Sequence, residues 1–326
     1  MPVFNGGVWP VMLTPFKNNG SLDLEGLCPL VSWYISQGCD GLFAVCQSSE
    51  MFYLSLDERV RIAREVVRLS AGKIPVLASG HVSIRLKDQA AELNAIADCG
   101  VDGLVLVTNR LVSSPQDDDQ TMLQNLRLLL SLLPKDIPLG FYECPYPFKR
   151  LLPANVLQFC LDSGRFHFIK DTSCNILNIR EKLRILRGSS VMLYNANTAT
   201  LLDSLEAGAH GYTGVMANFH PRLYRWLTQH WKERPQQARE VQAVLSMCAL
   251  IELKKYPSCA KRYLRTAWGL PIDDTTRKDN GTSIFFSADD TELMQLKLLS
   301  DKWEARLLEN CAAGQLNHKR LRRLQP

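Results

Sequence analysis

Residues 100–110 read Gly-Val-Asp-Gly-Leu-Val-Leu-Val-Thr-Asn-Arg, and this stretch contains the repeating unit that decides the fold. Gly100 follows a helical pattern, at the position where a glycine commonly caps the C-terminus of a helix. The run 103–107 is continuously apolar, as expected for a parallel strand that is covered on both faces. Polar residues then follow at 108–110. The unit therefore predicts the end of a helix, a buried strand and a polar loop, in that order.

The same unit recurs along the chain and predicts eight strands. A helical pattern lies between most of them; one follows a capping box formed by Ser55 and Glu58. Strands that alternate with helices predict an α/β fold, specifically a (β/α)8 TIM barrel. A doubly wound open sheet is the alternative, but no GxGxxG turn follows the first strand and no phosphate-binding loop of the GxxxxGKS or GxxxxGKT type occurs. The predicted strands cover residues 7–13, 41–45, 75–79, 103–107, 138–142, 166–170, 191–195 and 211–215.

The pattern changes after about residue 235, where strands stop and helices continue. We predict a catalytic barrel over residues 1–234 and a C-terminal helical appendage over 235–313. The basic tail 314–326 has few apolar residues, so we expect it to be frayed and solvated rather than a binding patch, since chain ends are commonly poorly ordered. The helical patterns of the appendage cover residues 235–253, 259–268 and 289–309.

The composition of the 326-residue chain excludes several classes of protein. It is 46% hydrophobic with a formal net charge of +5, which is too mildly basic to indicate a nucleic-acid partner. No apolar run reaches the roughly 18 residues of a membrane span, and residues 1–7 do not resemble a secretory signal. The 10 cysteines form no CxxC pair, so we expect reduced thiols, a cytoplasmic location, and neither a disulfide framework nor a bound zinc. We also expect no cofactor.

Lys170 is the most informative candidate residue. In TIM barrels the active site lies at the carboxyl ends of the strands, and Lys170 ends the sixth predicted strand, after Phe168 and Ile169. Burial lowers the pKa of an amine, and a free amine can attack a carbonyl group to form a Schiff base. From the pattern alone, a lysine that reaches the surface or pairs with Asp171 is an equally good interpretation.

Other strand ends supply further candidates. Tyr142, after the fifth strand, can transfer a proton to a substrate oxygen, although alone it would more readily be a packed aromatic. Gln47 and Ser48 offer hydrogen-bond donors for a carboxylate, or form a polar turn before a helix. His81 can orient a substrate or transfer a proton, but a histidine bonded to a loop carbonyl is slightly favoured. The remaining candidates at the barrel mouth are Arg110, Thr213, Asn195, Asn197 and Asn218.

Several short motifs occur in a characteristic order along residues 8–221. They are Thr14-Pro15-Phe16, Ser48-Ser49-Glu50, Leu54-Ser55, Glu58-Arg59, Phe141-Tyr142-Glu143-Cys144-Pro145, Ile169-Lys170-Asp171-Thr172-Ser173 and Ala207-Gly208-Ala209-His210-Gly211. This order resembles the dihydrodipicolinate synthase and N-acetylneuraminate lyase family. The resemblance implies a class I aldolase or lyase that acts on pyruvate or another 2-oxo acid. It also implies a homo-oligomer, a tetramer or a dimer.

The resemblance assigns roles to individual residues. Lys170 would form the imine, which is an electron sink when protonated, and Tyr142 would be the general acid and base. The loop around Gln47 and Ser48 would hold the carboxylate of the 2-oxo acid. That loop departs from the family pattern of Gly, Ser or Thr, Thr, Gly, Glu, because residues 46–50 read Cys-Gln-Ser-Ser-Glu and lack both glycines.

Three further departures from the family pattern concern the proton relay and the binding of the second substrate. Where the synthases have Pro-Tyr-Tyr, residues 109–111 read Asn-Arg-Leu, which removes a relay tyrosine; Arg110 would bind an anionic group or point to solvent. The arginine that grips a carboxylate in the synthases falls at Pro147. The Asp-Glu pair of the lyases falls at Thr198 and Ala199. Both parent activities are therefore disfavoured, the synthase more firmly.

These observations lead to competing functional hypotheses. The first is an imine-forming lyase, aldolase or dehydratase whose leading substrate is a 2-keto-3-deoxy sugar acid, with Arg110, His81 and Gln47 setting specificity. The second is a catalytically altered member that binds a small molecule or serves as a scaffold; retention of Lys170 and Tyr142 counts against it. Dihydrodipicolinate synthase or N-acetylneuraminate lyase proper is the remaining alternative within the family.

Overall fold

Eight parallel strands form the centre of the fold in a computed structural model, which describes residues 4–278 and 289–322, the segment 310–322 by backbone only. The strands are hydrogen-bonded in the order β1-β8-β7-β6-β5-β4-β3-β2. A parallel bridge between Val11 and Phe43 joins the two ends of this order. The TIM-barrel prediction is thus confirmed. The strands are β1 (Gly7–Val8), β2 (Leu42–Ala44), β3 (Val76–Ala78), β4 (Gly103–Val107), β5 (Leu139–Tyr142), β6 (Phe166–Asp171), β7 (Met192–Asn195) and β8 (Gly211–Tyr212).

Helices follow the strands and surround them. Their starts match local sequence signals: the predicted capping box of Ser55 and Glu58 is present, and Pro221 and Pro235 each occupy the first turn of a helix. The helices are α1 (Leu24–Ser36), α2 (Leu56–Ser70), α3 (Leu86–Ala97), α4 (Asp119–Ser131), α5 (Ala154–Ser163), α6 (Ile176–Leu186), α7 (Leu201–Glu206), α8 (Pro221–His230), α9 (Pro235–Cys248), α10 (Ser258–Trp268) and α11 (Asp290–Arg322).

The interior of the barrel is filled by aromatic rings. Phe168 stacks on Tyr194 with ring centroids 4.7 Å apart, and it packs against Trp9 and Phe43 at 5.9 and 6.1 Å. Because side chains alternate between the two faces of a strand, Phe168 points to the same face as Lys170, two residues later. The barrel therefore has an apolar floor directly beneath that lysine.

The structure shortens several predicted elements. The strand predicted over residues 7–13 ends at Val8, since Pro10 has no N–H to donate to the sheet. The strand predicted over 211–215 ends at Tyr212, and a 3-10 turn, Val215–Asn218, follows. In the appendage, the helix predicted over 235–253 is α-helical to Cys248 and continues as the 3-10 turn Ala249–Leu253.

The appendage is attached to the barrel through specific contacts. Gln242 of α9 donates to the carbonyl of Thr198 at 2.8 Å and accepts from the N–H of Leu202 at 2.9 Å. Helix α11 reaches Arg322 and so extends into the predicted tail 314–326, of which residues 323–326 lie outside the described part of the chain. The domain boundaries stay a prediction.

The described residues contain neither a membrane-spanning helix nor a cluster of metal-binding side chains. None of their helices combines the length and the apolar character that a bilayer span requires. The same residues contain no cluster of three or more histidine, cysteine, aspartate or glutamate side chains arranged to hold a metal ion.

Candidate active site

Lys170 lies near the carboxyl end of β6 and is only 4% exposed. Its Nζ lies 4.2 Å from the ring centroid of Tyr142 and 5.6 Å from that of Phe43. Burial lowers the pKa of Lys170 to about 8, against a smaller opposing effect of the Cys46 and Cys144 thiols. About a tenth of this amine is therefore uncharged, and so nucleophilic, at pH 7, far more than for a lysine with the ordinary pKa of about 10.4.

Tyr142 is the register partner of Lys170, because β5 and β6 are adjacent parallel strands. Its hydroxyl donates to Oε1 of Gln47 at 3.1 Å, and the Cys144 thiol donates to the same oxygen at 3.3 Å. Burial raises the pKa of Tyr142 well above its ordinary value, so the phenol carries its proton at neutral pH. The structure thus brings Lys170, Tyr142 and Gln47 together.

The loop that contains Gln47 and Ser48 is held in a strained conformation. Val45 and Glu50, which flank it, have φ angles of 48° and 60°, a region that non-glycine residues rarely occupy. The Ser49 hydroxyl fixes the turn by donating to the carbonyl of Met12 at 2.7 Å and accepting from the N–H of Cys46 at 3.1 Å. Such strain persists only where the surroundings enforce it, which is common at functional sites.

Glu50, at the end of this loop, is held in place by residues of the C-terminal region. Its buried carboxylate accepts from Lys261 Nζ at 2.7 Å, from the Thr276 hydroxyl at 2.6 Å and from the N–H of Arg277 at 2.6 Å. The Arg277 guanidinium in turn pairs with Glu58 at 2.7 Å. Residues on both sides of the barrel-appendage boundary therefore shape the loop.

Tyr256 also reaches the site, from the C-terminal helical region, although no sequence motif marks it. It lies beside Ser48, and its hydroxyl accepts from Asn218 Nδ2 at 3.0 Å. Burial raises the pKa of Tyr256 well above its ordinary value. No local pattern marks this residue, because its partners are distant in sequence. Cys144 was visible as part of a motif, but nothing in that motif revealed its contact with Gln47.

His81 does not have the environment expected of a substrate-binding group. It is 0% exposed, its Nε2 accepts from the N–H of Val107 at 2.7 Å, and its Nδ1 contacts Oε1 of Gln89 at 3.2 Å. Burial lowers the pKa of His81 to about 4. With both ring nitrogens engaged, the imidazole ties β3 to β4 and has no nitrogen left for a substrate.

Arg110 lies at the rim, half-buried. Its Nη1 donates to the carbonyl of Val82 at 3.1 Å, and its guanidinium lies 5.5 Å from the ring centroid of Phe52. The Phe52 ring contacts Tyr146 edge-on, with centroids 5.0 Å apart. Arg110 is thus held against the protein at the mouth rather than extended into solvent.

The polar side chains after β7 and β8 differ in whether they have hydrogen-bond partners among the described residues. Asn195 donates to Thr200 and Ser204, and its Oδ1 accepts from the N–H of Asn197. Asn218 is bonded to Tyr256 and to the Tyr34 hydroxyl. By contrast, the buried Thr213 hydroxyl has no hydrogen-bond partner among the described residues. Thr213 is therefore the one of these candidates with a hydroxyl left for a ligand.

At the positions where the resemblance places substrate-binding residues of the synthases and the lyases, this chain has other residues. Thr198 is 4% exposed, and its hydroxyl bonds to those of Tyr212 and Tyr224 at 3.1 and 2.7 Å. Near Pro147, Lys149 donates to the carbonyl of Thr172 at 2.7 Å. Arg150 pairs with Asp119 at 2.5 Å. Neither cation replaces the missing arginine, since both are bound elsewhere.

Known proteins resemble this chain in sequence and in fold. The Dihydrodipicolinate synthetase family model matches residues 5–281. The 4-hydroxy-tetrahydrodipicolinate synthase of Gluconacetobacter diazotrophicus is 26% identical over 232 residues, which cover 71% of this chain and 75% of that protein.

Two solved structures share the fold. Dihydrodipicolinate synthase from Bacillus anthracis superposes with a TM-score of 0.79 at 18% identity, covering 91% of this chain and 98% of that one. A catalytic lysine mutant of Ruminococcus gnavus sialic acid aldolase gives 0.80 at 17% identity, covering 92% and 97%. Because the family model spans most of the sequence and these structures share its barrel, the chain belongs to the dihydrodipicolinate synthetase family.

Proposed function

We propose that this protein is a class I lyase or aldolase that forms an imine between Lys170 and the carbonyl carbon of pyruvate or a related 2-oxo acid. Family membership supports a lyase or synthase. The imine is supported by the buried Lys170 amine, whose pKa is lowered to about 8 and whose Nζ lies 4.2 Å from the Tyr142 ring centroid.

In the proposed reaction the neutral amine attacks C2, and water leaves as the imine forms. Once protonated, the imine accepts the electron pair of the bond that breaks beyond C3, which leaves an enamine; in the reverse direction the enamine attacks an aldehyde. In the direction of bond formation Tyr142, which holds its proton at neutral pH, can donate it to the aldehyde oxygen as that oxygen becomes a hydroxyl group; in the direction of cleavage the proton of that hydroxyl group returns to the Tyr142 oxygen. Loss of a proton from C3 of the imine would instead give an enamine that expels the hydroxyl group on the next carbon as water, and the reaction would then be a dehydration.

The carboxylate of the 2-oxo acid would be bound by the loop after β2. Oε1 of Gln47 already accepts from Tyr142 and Cys144, which leaves its Nε2 to donate to an anion. The Ser48 hydroxyl, beside Tyr256, and the Thr213 hydroxyl are further donors. We assign Gln47, Ser48 and Thr213 to substrate binding, and Arg110 to the outer part of the mouth.

A 2-keto-3-deoxy sugar acid is the substrate class that we favour. The engaged Lys149 and Arg150 argue against an amino-aldehyde carboxylate, and the buried Thr198 hydroxyl argues against the long polyhydroxy chain of N-acetylneuraminate. We further propose a homo-oligomer. The described cysteines are free thiols, which suits the reducing cytoplasm.

Turnover of a substrate panel tests this proposal. Purified protein would be incubated with 2-keto-3-deoxy sugar acids, N-acetylneuraminate, and pyruvate plus aldehydes, and pyruvate release or consumption would be followed. We expect turnover of a 2-keto-3-deoxy acid that is abolished in Lys170→Ala and retained in Lys73→Ala, which removes an exposed lysine. Full activity of Lys170→Ala would overturn the mechanism. Thermal stabilisation by 2-oxo acids without turnover would instead support the binding-protein alternative.

A further inference from the structure

Lys182 of α6 forms a buried ion cluster behind the candidate active site. Its Nζ donates to Asp171 Oδ2 at 2.5 Å and also to Oε1 of Glu143. Both carboxylate side chains are 0% exposed, and the side chain of Lys182 is 5% exposed. The reaction proposed above does not use any of these three residues.

The position of the cluster follows from the alternation of side chains along a strand. Tyr142 and Lys170 are register partners on β5 and β6, and both point into the barrel. Glu143 and Asp171 come directly after them and so point to the opposite side, towards α6. One ammonium group therefore bridges the residues that immediately follow the proton donor and the imine-forming lysine.

Each carboxylate is also fixed by its own backbone contacts. Asp171 accepts from the N–H and the hydroxyl of Ser173 at 2.8 and 2.7 Å. Glu143 accepts from the N–H groups of Leu152 and Thr172 at 2.8 and 3.2 Å. These contacts orient both acids towards Lys182, so the cluster is a rigid link between two strand ends.

The charges favour an intact cluster. Burial alone would lower the pKa of Lys182, but the two carboxylates hold that pKa above its ordinary value, so the amine stays protonated. Burial raises the pKa of Glu143. Two acids share one cation, and removal of that cation would leave them facing each other without compensation.

We propose that Lys182 is a positioning residue that sets the distance between the Lys170 amine and the Tyr142 ring by joining the ends of β5 and β6. The proposal rests on the imine mechanism only for its catalytic consequence. Misplacement of reacting groups by about 1 Å can cost about 100-fold in rate. A link at the strand ends is therefore an effective way to control the reaction without touching the substrate.

The test uses two variants of the full chain. Lys182→Met removes the cation. The triple variant Glu143→Gln/Asp171→Asn/Lys182→Met also neutralises the acids and keeps the shapes of their side chains, so that it folds even where the single variant does not. The matched control is Arg59→Met/Glu92→Gln, which removes another buried pair, joined at 3.1 Å, between α2 and α3. Folding is checked by circular dichroism and thermal unfolding.

Two readouts separate positioning from a loss of stability. Acetylation of Lys170 is followed against pH by mass spectrometry, and kcat and KM are measured on the substrate found above. In the triple variant we expect the labelling midpoint to move from near pH 8 towards that of an ordinary lysine, about 10.4, and kcat to fall at least about tenfold with little change in KM. The control should lower the melting temperature without moving the midpoint.

The outcomes distinguish this proposal from the proposed function. A folded triple variant with an unchanged labelling midpoint and an unchanged kcat would overturn the role of Lys182. Absence of turnover in the wild-type protein would overturn the imine mechanism, but the labelling midpoint would still decide whether Lys182 positions Lys170. An equal shift of the midpoint in the Arg59→Met/Glu92→Gln control would also count against a specific link.

Discussion

The lowered pKa of Lys170 comes from the surroundings of its amine in the folded barrel. The aromatic floor formed by Phe168, Phe43 and Tyr194 excludes water below it, and the Tyr142 ring covers one side of the amine. Desolvation of this kind disfavours the charged form and so lowers the pKa of an amine. The same lysine on an exposed strand end would be protonated at neutral pH and inert towards carbonyl groups.

Tyr142→Phe separates imine formation from proton transfer. The amine of Lys170 and the aromatic ring beside it are unchanged, so the variant should still form an imine with pyruvate. Turnover should fall by about 100- to 10,000-fold, the usual contribution of a positioned acid or base. Steady-state kinetics and adduct trapping on the same sample check this. A variant with wild-type kcat would show that another group transfers the proton.

Gln47→Glu tests the carboxylate site with a side chain of equal size. The new negative charge would repel the substrate carboxylate and remove the donor Nε2. Since a hydrogen bond to a charged group contributes about 1.5–3 kcal/mol, KM for the 2-oxo acid should rise at least about tenfold. Gln116→Glu, at an exposed position, is the control. Equal KM values for the two variants would exclude Gln47 from the binding site.

Prediction from sequence works well for some of these residues and poorly for others. Lys170 and Tyr142 end apolar strands, so the barrel rule includes them among its candidates and the family resemblance singles them out, and they lie side by side in the structure. His81 also follows a strand, but its imidazole turns into the protein to satisfy the N–H of Val107. Such a choice between substrate and backbone depends on side-chain geometry that a sequence pattern does not encode.

Segments far apart in the chain cooperate to hold the loop that follows β2. Glu50 has a left-handed φ of 60° and is fixed by Lys261, Thr276 and Arg277. The family pattern has a glycine next to this glutamate, whereas here the strained φ angles fall on Val45 and Glu50 themselves. The contacts from the C-terminal region therefore offset a conformation that the loop sequence alone disfavours.

Lys261→Met should destabilise the protein strongly. Its amine and the Glu50 carboxylate are 0% and 1% exposed, and loss of one partner of a buried ion pair typically costs about 3–5 kcal/mol. Urea unfolding followed by circular dichroism measures the change. The double variant Lys261→Met/Glu50→Gln should recover part of the loss, because no unpaired charge remains. A single variant as stable as the wild type would contradict the importance of this pair.

The lengths of the elements were harder to predict than their order. All eight strands occur where the apolar runs are, but β1 and β8 have only two residues each. Pro10 interrupts the pairing after β1, and the 3-10 turn Val215–Asn218 follows β8. Apolar side chains continue beyond both ends because the barrel mouth is buried as well, so hydrophobicity alone overestimates the strands.

Buried histidines link the stability of the whole molecule to pH. His220 is 1% exposed, stacks on Tyr224, and has no hydrogen-bond partner for either ring nitrogen among the described residues. Burial lowers the pKa of His220 to about 3. The ordinary pKa of a histidine is about 6.5, so below that pH the imidazole binds a proton in the unfolded chain but not in the folded protein. The free energy of unfolding therefore falls as the pH is lowered.

His220→Phe should remove that dependence while it keeps the stacked ring. At pH 5 the wild-type protein loses about 2 kcal/mol through this group, since the unfolded histidine is protonated over about 1.5 pH units. Relative to wild type, the variant should therefore gain about 2 kcal/mol more at pH 5 than at pH 7.5. Urea titrations at the two pH values check this. Parallel pH profiles for both proteins would contradict a neutral, buried imidazole.

For the whole molecule, the barrel and the C-terminal helices can be predicted from the sequence, but only some of the residues that build the candidate site can. The unit of helix end, apolar strand and polar loop repeats often enough to specify the topology. The contributions of Tyr256, Lys182 and Lys261 depend on contacts between distant parts of the chain. A single sequence gives no signal for such contacts, because each residue is locally an ordinary helix or loop residue.

Borohydride trapping shows whether Lys170 forms an imine with a 2-oxo acid. The protein would be incubated with pyruvate, reduced, digested and mapped by mass spectrometry, with Lys170→Ala as the control. The imine mechanism predicts a single reduced adduct, on Lys170, whose rate of formation rises with pH through about 8 as the amine loses its proton. Absence of an adduct on the folded protein with pyruvate and with larger 2-oxo acids, or an adduct on a different lysine, would contradict it.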